Sequence, residues 1–394
     1  MRSDRLPSLR AGQFKEEQED GDRYEAFHPV PLPPDPPLLL DVDLHRLLDR
    51  ANQALGRLDG ITLLLPDPGQ FLYAFIRKEA VLSSQIEGTV SSLSDLLLFE
   101  NEVAPGVPIQ DVEETANYIA ALNHGVDSIA SGRLPLCNRL LREAHALLLR
   151  SGRGSEKAPG GFRRSQNWLG GTHPENARYV PPPWLEVEPA MAALERYLHD
   201  IPEPSPVLIK AALAHVQFES IHPFLDGNGR VGRLLITLLL VDQGVLSRPL
   251  LYLSLYLKRN REAYYEHLQR VRLEGAWEDW LSFFLEGVID VADSTSDTTR
   301  EIVRMIQRDR DRIHGFGRGS ATALRVHDRA VRRVVVKPPA LARELELTEP
   351  PVYAAVSRLE EAGILREVTG RARGKTYVYS EYMDILNEGT EQAA

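Results

Sequence analysis

One stretch constrains this chain more than any other: His222-Pro-Phe-Leu-Asp-Gly-Asn-Gly-Arg-Val-Gly-Arg233. It holds an imidazole, a carboxylate, two glycines around an asparagine, and two arginines at i and i+3. The mostly apolar run Leu234 to Val241 follows at once. Such a segment folds as a tight turn that opens into a helix. Gly227 and Gly229 let backbone N–H groups approach an anion closely. A helix starting near Asn228 adds its positive end. Arg230 and Arg233 lean toward the same terminus, and their guanidinium forks match phosphate oxygens. Asp226 is a hard oxygen ligand suited to Mg²⁺, and His222 is a base beside it.

These residues fill every fixed position of the pattern His-Pro-Phe-x-Asp-Gly-Asn-Gly-Arg-x-x-Arg, and the chain is identified by it as resembling the Fic family. The resemblance implies transfer of a nucleoside monophosphate, most often AMP from ATP, onto a hydroxyl of a target protein. It makes His222 the general base and Asp226 the Mg²⁺ ligand. Gly227, Asn228 and Gly229 become the nest for the α- and β-phosphates. Arg230 becomes a phosphate clamp, and Arg233 orients the γ-phosphate. Phe224 is expected in the core, anchoring the loop. Phosphoryl-type transfer relies on positioning and charge neutralisation, which this set supplies. A kinase-like branch of the family replaces the nest glycines; here both are present, which favours nucleotidyl transfer.

A second string, Ser83-Ser-Gln-Ile-Glu-Gly88, ends a helical pattern from Phe71 to Ile86. Gly88 reads as its stop. The string is similar to the family's inhibitory motif, which implies an ion pair between Glu87 and Arg233 that keeps the arginine from the γ-phosphate. The brake then lies in the same chain, on an N-terminal inhibitory helix. In some relatives the same glutamate serves the removal of AMP, and the sequence leaves that reverse activity open.

Pro159 to His173, followed by Asn176 to Pro183, carries paired glycines and reads as a β-hairpin. It resembles the family's flap, with 166–172 as the edge that docks a target segment by strand addition. Further on, Leu251 to Tyr265 resembles the segment for the nucleoside end. Asn260 is the candidate for an adenine hydrogen bond, with Tyr252 or Tyr265 near the base or ribose. His215, His222 and Glu219 resemble a metal cluster on paper. The apolar neighbours Ala211, Ala212 and Phe218 instead make His215 a core or supporting histidine.

The expected fold is mostly α: a helical core with a β-hairpin flap, plus a small C-terminal winged-helix domain. The expected divisions are an extended or disordered arm over 1–40, a helical domain with the inhibitory helix over 41–105, and a catalytic core over 106–295. A connector helix over 296–324 and a winged-helix-like domain over 325–394 complete it. Helix, turn, helix and basic hairpin suggest that last module. Residues 325–380 hold 11 Lys/Arg against 7 Asp/Glu. Arg371, Arg373 and Lys375 sit at the wing tip, but Pro351 to Arg358 offers few side chains that read bases.

The net charge of −10 excludes bulk attraction to nucleic acid or anionic membrane. The single cysteine, Cys137, forms no disulfide within the chain and fits a reducing compartment. No apolar leader or spanning run is evident, so a cytoplasmic location is expected. The expected partners are ATP, Mg²⁺, a target protein and the chain itself as a target. There is room for a homodimer and for DNA contact through 325–380. The leading expectation is an autoinhibited protein adenylyltransferase. The alternative is a nucleotide-sensing, DNA-binding transcriptional regulator. A transferase with another donor, such as another nucleotide or a phosphocholine-type compound, also fits a motif that reads phosphates and not the base.

Overall fold

A computed structural model of the chain describes residues 10–19, 22–63, 68–104 and 106–391. Two antiparallel strands come first, β1 (Gly12–Glu19) and β2 (Asp22–Pro29), paired from Gly12 opposite Pro29 to Glu19 opposite Asp22. An extended or disordered arm is expected here, and a hairpin is found. Its residues alternate: Tyr24 and Ala26 are buried, while Arg23 and Glu25 face solvent. Phe27 N–H donates to Val180 O at 2.9 Å, and Tyr24, Ala26 and Val180 share one apolar cluster. The hairpin is therefore tied to the root of the flap. The first nine residues of the expected arm lie outside the described residues.

Helices α1 (Val42–Leu63) and α2 (Pro68–Ile86) follow. Pro66, where the sequence pattern breaks, lies outside the described residues. Helix α3 (Leu93–Glu100) opens on a capping box: Ser92 Oγ accepts the Asp95 N–H, and the Asp95 carboxylate accepts the Ser92 N–H. Next come α4 (Ile109–Ala130), α5 (Asn138–Leu148), α6 (Trp184–Leu198), α7 (Val207–Ile221) and α8 (Asn228–Asp242). Helices α9 (Ser254–Arg259) and α10 (Arg261–Glu274) lead to α11 (Trp277–His314). The connector helix expected to begin at 296 is continuous with the helix before it, since no Gly or Pro interrupts α11 between Val288 and His314. The chain ends with α12 (Ser320–Arg333), β3 (Val335–Val336), α13 (Pro338–Glu344), α14 (Glu349–Glu361), β4 (Leu365–Glu367), β5 (Tyr377–Tyr379) and α15 (Ser380–Asn387). Strands β3, β4 and β5 form an antiparallel sheet in the order β3-β5-β4. The fold is mostly helical, as expected. Among the described residues no helix is long and apolar enough to cross a membrane.

The chain divides into two compact units. The first joins the described residues up to Gly56 with Asn117–Val291, and the second joins Arg57–Ala116 with the described residues from Ala292 on. In the first, α7 is the centre: every residue from Leu208 to Ile221 is buried. Its sequence is mostly apolar, with no polar stripe to turn to solvent. Lys210 and Glu219 are its charged residues, and Lys210 Nζ meets Asp200 Oδ1 at 2.5 Å. Helix α8 packs along α7. In the second unit α2 packs against α3, α12 and α15. A buried chain of polar groups joins α11, β5 and α12 there: Tyr379 OH donates to Asp309 Oδ2 (2.8 Å) and lies 3.1 Å from His327 Nε2.

Candidate active site

The site is built at the junction of α7 and α8. Helix α7 ends at Ile221, and His222 caps it in the left-handed conformation (φ 50°, ψ 60°), with its N–H donating to Phe218 O at 2.9 Å. A residue with a Cβ is held there at a cost of about 1 kcal/mol, so the surroundings must fix it. His222 Nδ1 lies 4.0 Å from Glu219 Oε2, one turn back on α7. Both side chains are buried. Gly232 makes room for that carboxylate, because a Cβ there would stand 2.5 Å from Glu219 Oε1.

The loop then folds on its own asparagine. Asn228 is buried; its Oδ1 accepts the Phe224 N–H and its Nδ2 donates to Phe224 O, both at 2.8 Å. Phe224 is in the core, as expected, among Phe162, Phe218 and His145. Gly227 takes a left-handed backbone (φ 78°) at the N-cap of α8, while Gly229 is already helical in the first turn. Of the two glycines, Gly227 is the one the turn requires. The α8 N-terminus follows directly, with the N–H groups of its first turn outside the intrahelical ladder. Asp226 Oδ1 accepts the Gly227 N–H at 2.5 Å and lies 3.6 Å from Arg230 Nη2. Arg230 and Arg233 are buried on α8. All the residues expected between 222 and 233 are thus gathered in one loop and the start of one helix.

The remaining expected residues lie elsewhere. Asn260 is half-buried at the junction of α9 and α10, and its Nδ2 donates to Tyr256 O at 3.0 Å. Tyr252 is buried, and Tyr265 is half-buried beside Arg261. Glu87 belongs to the second unit, in the turn after α2, where its N–H donates to Ser84 O. His215 is satisfied in the core by Gly232 O and Tyr264 OH, both at 2.9 Å, so it is no metal ligand here.

The expected flap is a loop rather than two long strands. It closes on a single antiparallel bridge between Leu169 and Tyr179, with Gly170 and Gly171 both left-handed at the tip. Trp168 to Thr172 are exposed. Asn167 Nδ2 donates to Phe224 O at 2.9 Å, which ties the flap to the loop.

Supporting residues come from segments distant in sequence. His145, on α5, receives the Gly160 N–H at Nδ1 (2.8 Å). Its proton is therefore on Nε2, which donates to Asp226 O at 3.0 Å. Burial pushes His145 down to about 4; the Asp226 carbonyl pulls it up and the Arg230 charge pushes it down. Gly154 (φ 85°) approaches Asp226 so closely that a Cβ would sit 2.7 Å from Oδ2. Arg163 and Tyr179 of the flap, and Arg272 of α10, bond to the end of α7. Burial pushes the Tyr179 hydroxyl up to about 12, so it stays a donor. A groove of about 680 Å³ runs beside the flap, lined among others by Arg142, Phe162, Arg163, Trp184 and Leu225.

Residues 45–127 match the Fic/DOC family N-terminal model, and residues 135–240 match the Fic/DOC family model. The chain thus carries a Fic domain preceded by a Fic N-terminal domain. The Fic match covers the flap and the whole 222–233 loop. Among curated relatives, a protein adenylyltransferase Fic of Drosophila ananassae is 31% identical over 153 residues, 38% of this chain and 28% of that protein. A probable protein adenylyltransferase of Aquifex aeolicus is 36% identical over 118 residues, 30% of this chain and 32% of that one. A protein adenylyltransferase Fic of Culex quinquefasciatus is 29% identical over 248 residues, 59% and 46% of the two chains. This Fic chain thus spans less than half the length of each of these relatives. Among solved structures, a Fic family protein of Desulfovibrio desulfuricans has a TM-score of 0.55 at 22% identity, covering 87% of this chain and 98% of that one. Fic-1 of C. elegans has a TM-score of 0.50 at 20% identity, covering 66% and 74%. These likenesses establish the Fic fold.

Proposed function

We propose that the chain is an autoinhibited protein adenylyltransferase. The observation that carries this reading is the single loop that sets His222 at the end of α7 and Asp226, Arg230 and Arg233 around the start of α8. The names of the curated relatives support it. In this reading a Ser, Thr or Tyr oxygen of a target, or of the chain itself, attacks the α-phosphorus of ATP. His222 takes the hydroxyl proton, the new P–O bond forms, the bond to the β-phosphate bridge breaks, and pyrophosphate leaves. Gly227 and the α8 N-terminus face the α- and β-phosphates, Arg230 clamps them, and Arg233 orients the γ-phosphate. Asn228 serves indirectly, since its amide is spent holding Phe224. Asn260 stands toward the adenine.

Among the described residues no three His, Cys, Asp or Glu side chains group as a metal site. Asp226, with its carboxylate partly exposed beside the loop, suits a cation that takes one carboxylate and completes its shell with phosphates and water. Mg²⁺ fits that description, and when bound it neutralises phosphate charge.

The docking edge is 166–172, where exposed Trp168 to Thr172 leave room for an added strand. Glu87 is the brake, pairing with Arg233 in the resting state; the same carboxylate suits reverse de-AMPylation. The C-terminal order of helix, strand, two helices and two strands supports a winged-helix module over 325–394, with its connector in the C-terminal part of α11. DNA contact through its wing, and a transcriptional regulator that senses nucleotide through the Fic core, is the second reading. A homodimer and a cytoplasmic location complete the proposal.

The test is incubation of wild type, Glu87→Gly and Glu87→Gly/His222→Ala with Mg²⁺ and α- or γ-labelled ATP, followed by intact mass. Label from the α-position, one AMP per site, raised by Glu87→Gly and abolished by His222→Ala, is expected. Label from the γ-position alone means phosphorylation. No label from either sinks the transferase reading in favour of the sensor.

A further inference from the structure

We propose that Arg163 is a positioning residue for His222, and that it holds the flap and the base in one frame. The proposal rests on the transferase reading, because it assigns the flap to the target and His222 to the proton.

The end of a helix leaves its last carbonyls without intrahelical partners, and buried carbonyls must find others. At the end of α7 each partner can be named. Glu219 O accepts from Arg272 Nη2 (3.1 Å), and Ser220 O accepts from Tyr179 OH (2.6 Å). Ile221 O accepts from Arg163 Nη2 (3.4 Å), and His222 O accepts from Arg163 Nε (3.0 Å). Pro223 O accepts the Arg163 backbone N–H (2.9 Å). Arg272 and Tyr179 hold the helix one step earlier; Arg163 reaches the carbonyl of His222 itself.

The same guanidinium holds the flap. Nη1 donates to Ser165 O at 3.3 Å, where the flap leaves the core, and Nη2 donates to Pro182 O, where it returns. One buried, planar cation thus joins the two roots of the flap to the left-handed turn that aims His222. Its charge also lies at the negative end of α7. A target segment docked on the flap and the base that deprotonates it are then referenced to a single group. Lysine keeps the charge but offers no planar fork for four carbonyls. Arg163 also lines the groove beside the flap, so a small guanidinium can reach its place from solvent.

The test uses Arg163→Lys and Arg163→Ala in full-length Glu87→Gly protein. AMP transfer to a fixed target is measured with ATP titrated, and the His222 ring and amide are followed by NMR. Transfer is expected to lose about 10- to 100-fold in kcat, while KM for ATP moves less than about threefold. Methylguanidinium is expected to restore part of the Arg163→Ala loss. The His222 signals shift while those of His215 stay. An unchanged kcat, or unmoved His222 signals, overturns the proposal. So does a joint fall of kcat, ATP binding and melting temperature in both variants without rescue, which marks an ordinary folding residue. If the Glu87→Gly parent transfers no AMP yet Arg163→Lys moves the His222 signals, the transferase reading fails and the hold of Arg163 on His222 stands.

Discussion

The His145 ring lies flat on the Phe224 ring, with centroids 3.7 Å apart and planes 8° apart. The stack joins α5 to the centre of the 222–233 loop, and the two imidazole nitrogens extend the join to Gly160 N–H and Asp226 O. His145→Ala removes the stack and leaves both backbone groups without their partner. The expected loss is about 2–4 kcal/mol of stability, mostly from the orphaned groups and the cavity. His145→Gln keeps one polar contact and is expected to fall between. Urea denaturation of the three proteins checks the order; equal midpoints for wild type and His145→Ala contradict it.

Asn228 spends both ends of its amide on Phe224. Asn228→Asp keeps the acceptor for Phe224 N–H but loses the donor to Phe224 O, and adds a negative charge where the proposed function puts the phosphates. Asn228→Ala loses both bonds. Stability is expected to fall from wild type to Asn228→Asp to Asn228→Ala, by about 1–3 kcal/mol for each buried group left unsatisfied. ATP binding is expected to follow a different order: the added charge makes Asn228→Asp bind ATP no more tightly than Asn228→Ala. Calorimetric titration beside thermal melts separates the two orders. Tighter ATP binding by Asn228→Asp would show that the loop does not face phosphate.

His215 and His327 are buried, one in each unit, and burial is the first cause that pushes each down to about 4. For His215 the Gly232 carbonyl pulls upward, and the Arg233 and Arg272 charges push downward. A neutral ring fits its bonds: Nδ1–H donates to Gly232 O, and Nε2 accepts from Tyr264 OH. The unfolded chain takes up a proton on each histidine below an ordinary value of about 6.5. The folded chain does so only near 4. Between these values the unfolded state holds more protons, so stability falls as pH drops. The slope is about 1.4 kcal/mol per pH unit for each histidine. Melting temperatures at pH 7 and pH 5 check this, with His215→Gln expected to show a smaller drop than wild type.

The 222–233 loop was legible because its chemistry is contiguous: imidazole, carboxylate, glycines and arginines follow one another. The α8 limits, Asn228 and Asp242, also follow directly from the glycine turn and the apolar run. The supports were not legible. Arg163 and His145 reach the loop, and Tyr179 and Arg272 the end of α7, from about 40 to 80 residues away, and no spacing in the sequence links them to it. The N-terminal hairpin did leave a signal. Asp20-Gly21 stands between Gly12–Glu19 and Asp22–Pro29, with Tyr24, Ala26 and His28 alternating beyond it. Its acidic composition masks the alternation. The flap shows the opposite error: paired glycines suggested two strands, but prolines 181–183 and the short 3₁₀ turn Pro174–Asn176 limit pairing to one bridge.

Gln85 ties the end of α2 to two other segments: its Nε2 donates to Ser91 O (2.9 Å) and to Thr390 O (2.8 Å). Glu87 lies two residues on, in a turn held by Ser84 O and followed by the Val90 N–H bond to Asp111 Oδ2. If Glu87 is the brake, the C-terminal end of the chain helps to set it. Gln85→Ala removes both bonds, at about 1 kcal/mol net each, which loosens the turn by a factor of about five or more. Self-labelling from α-labelled ATP is therefore expected to rise several-fold over wild type, short of the level of Glu87→Gly. In the Glu87→Gly background the same substitution is expected to change nothing, because no carboxylate remains to release. A rise in both backgrounds would mean that Gln85 acts on the Fic core by another route, and no rise in wild type would separate the C-terminal contact from the brake.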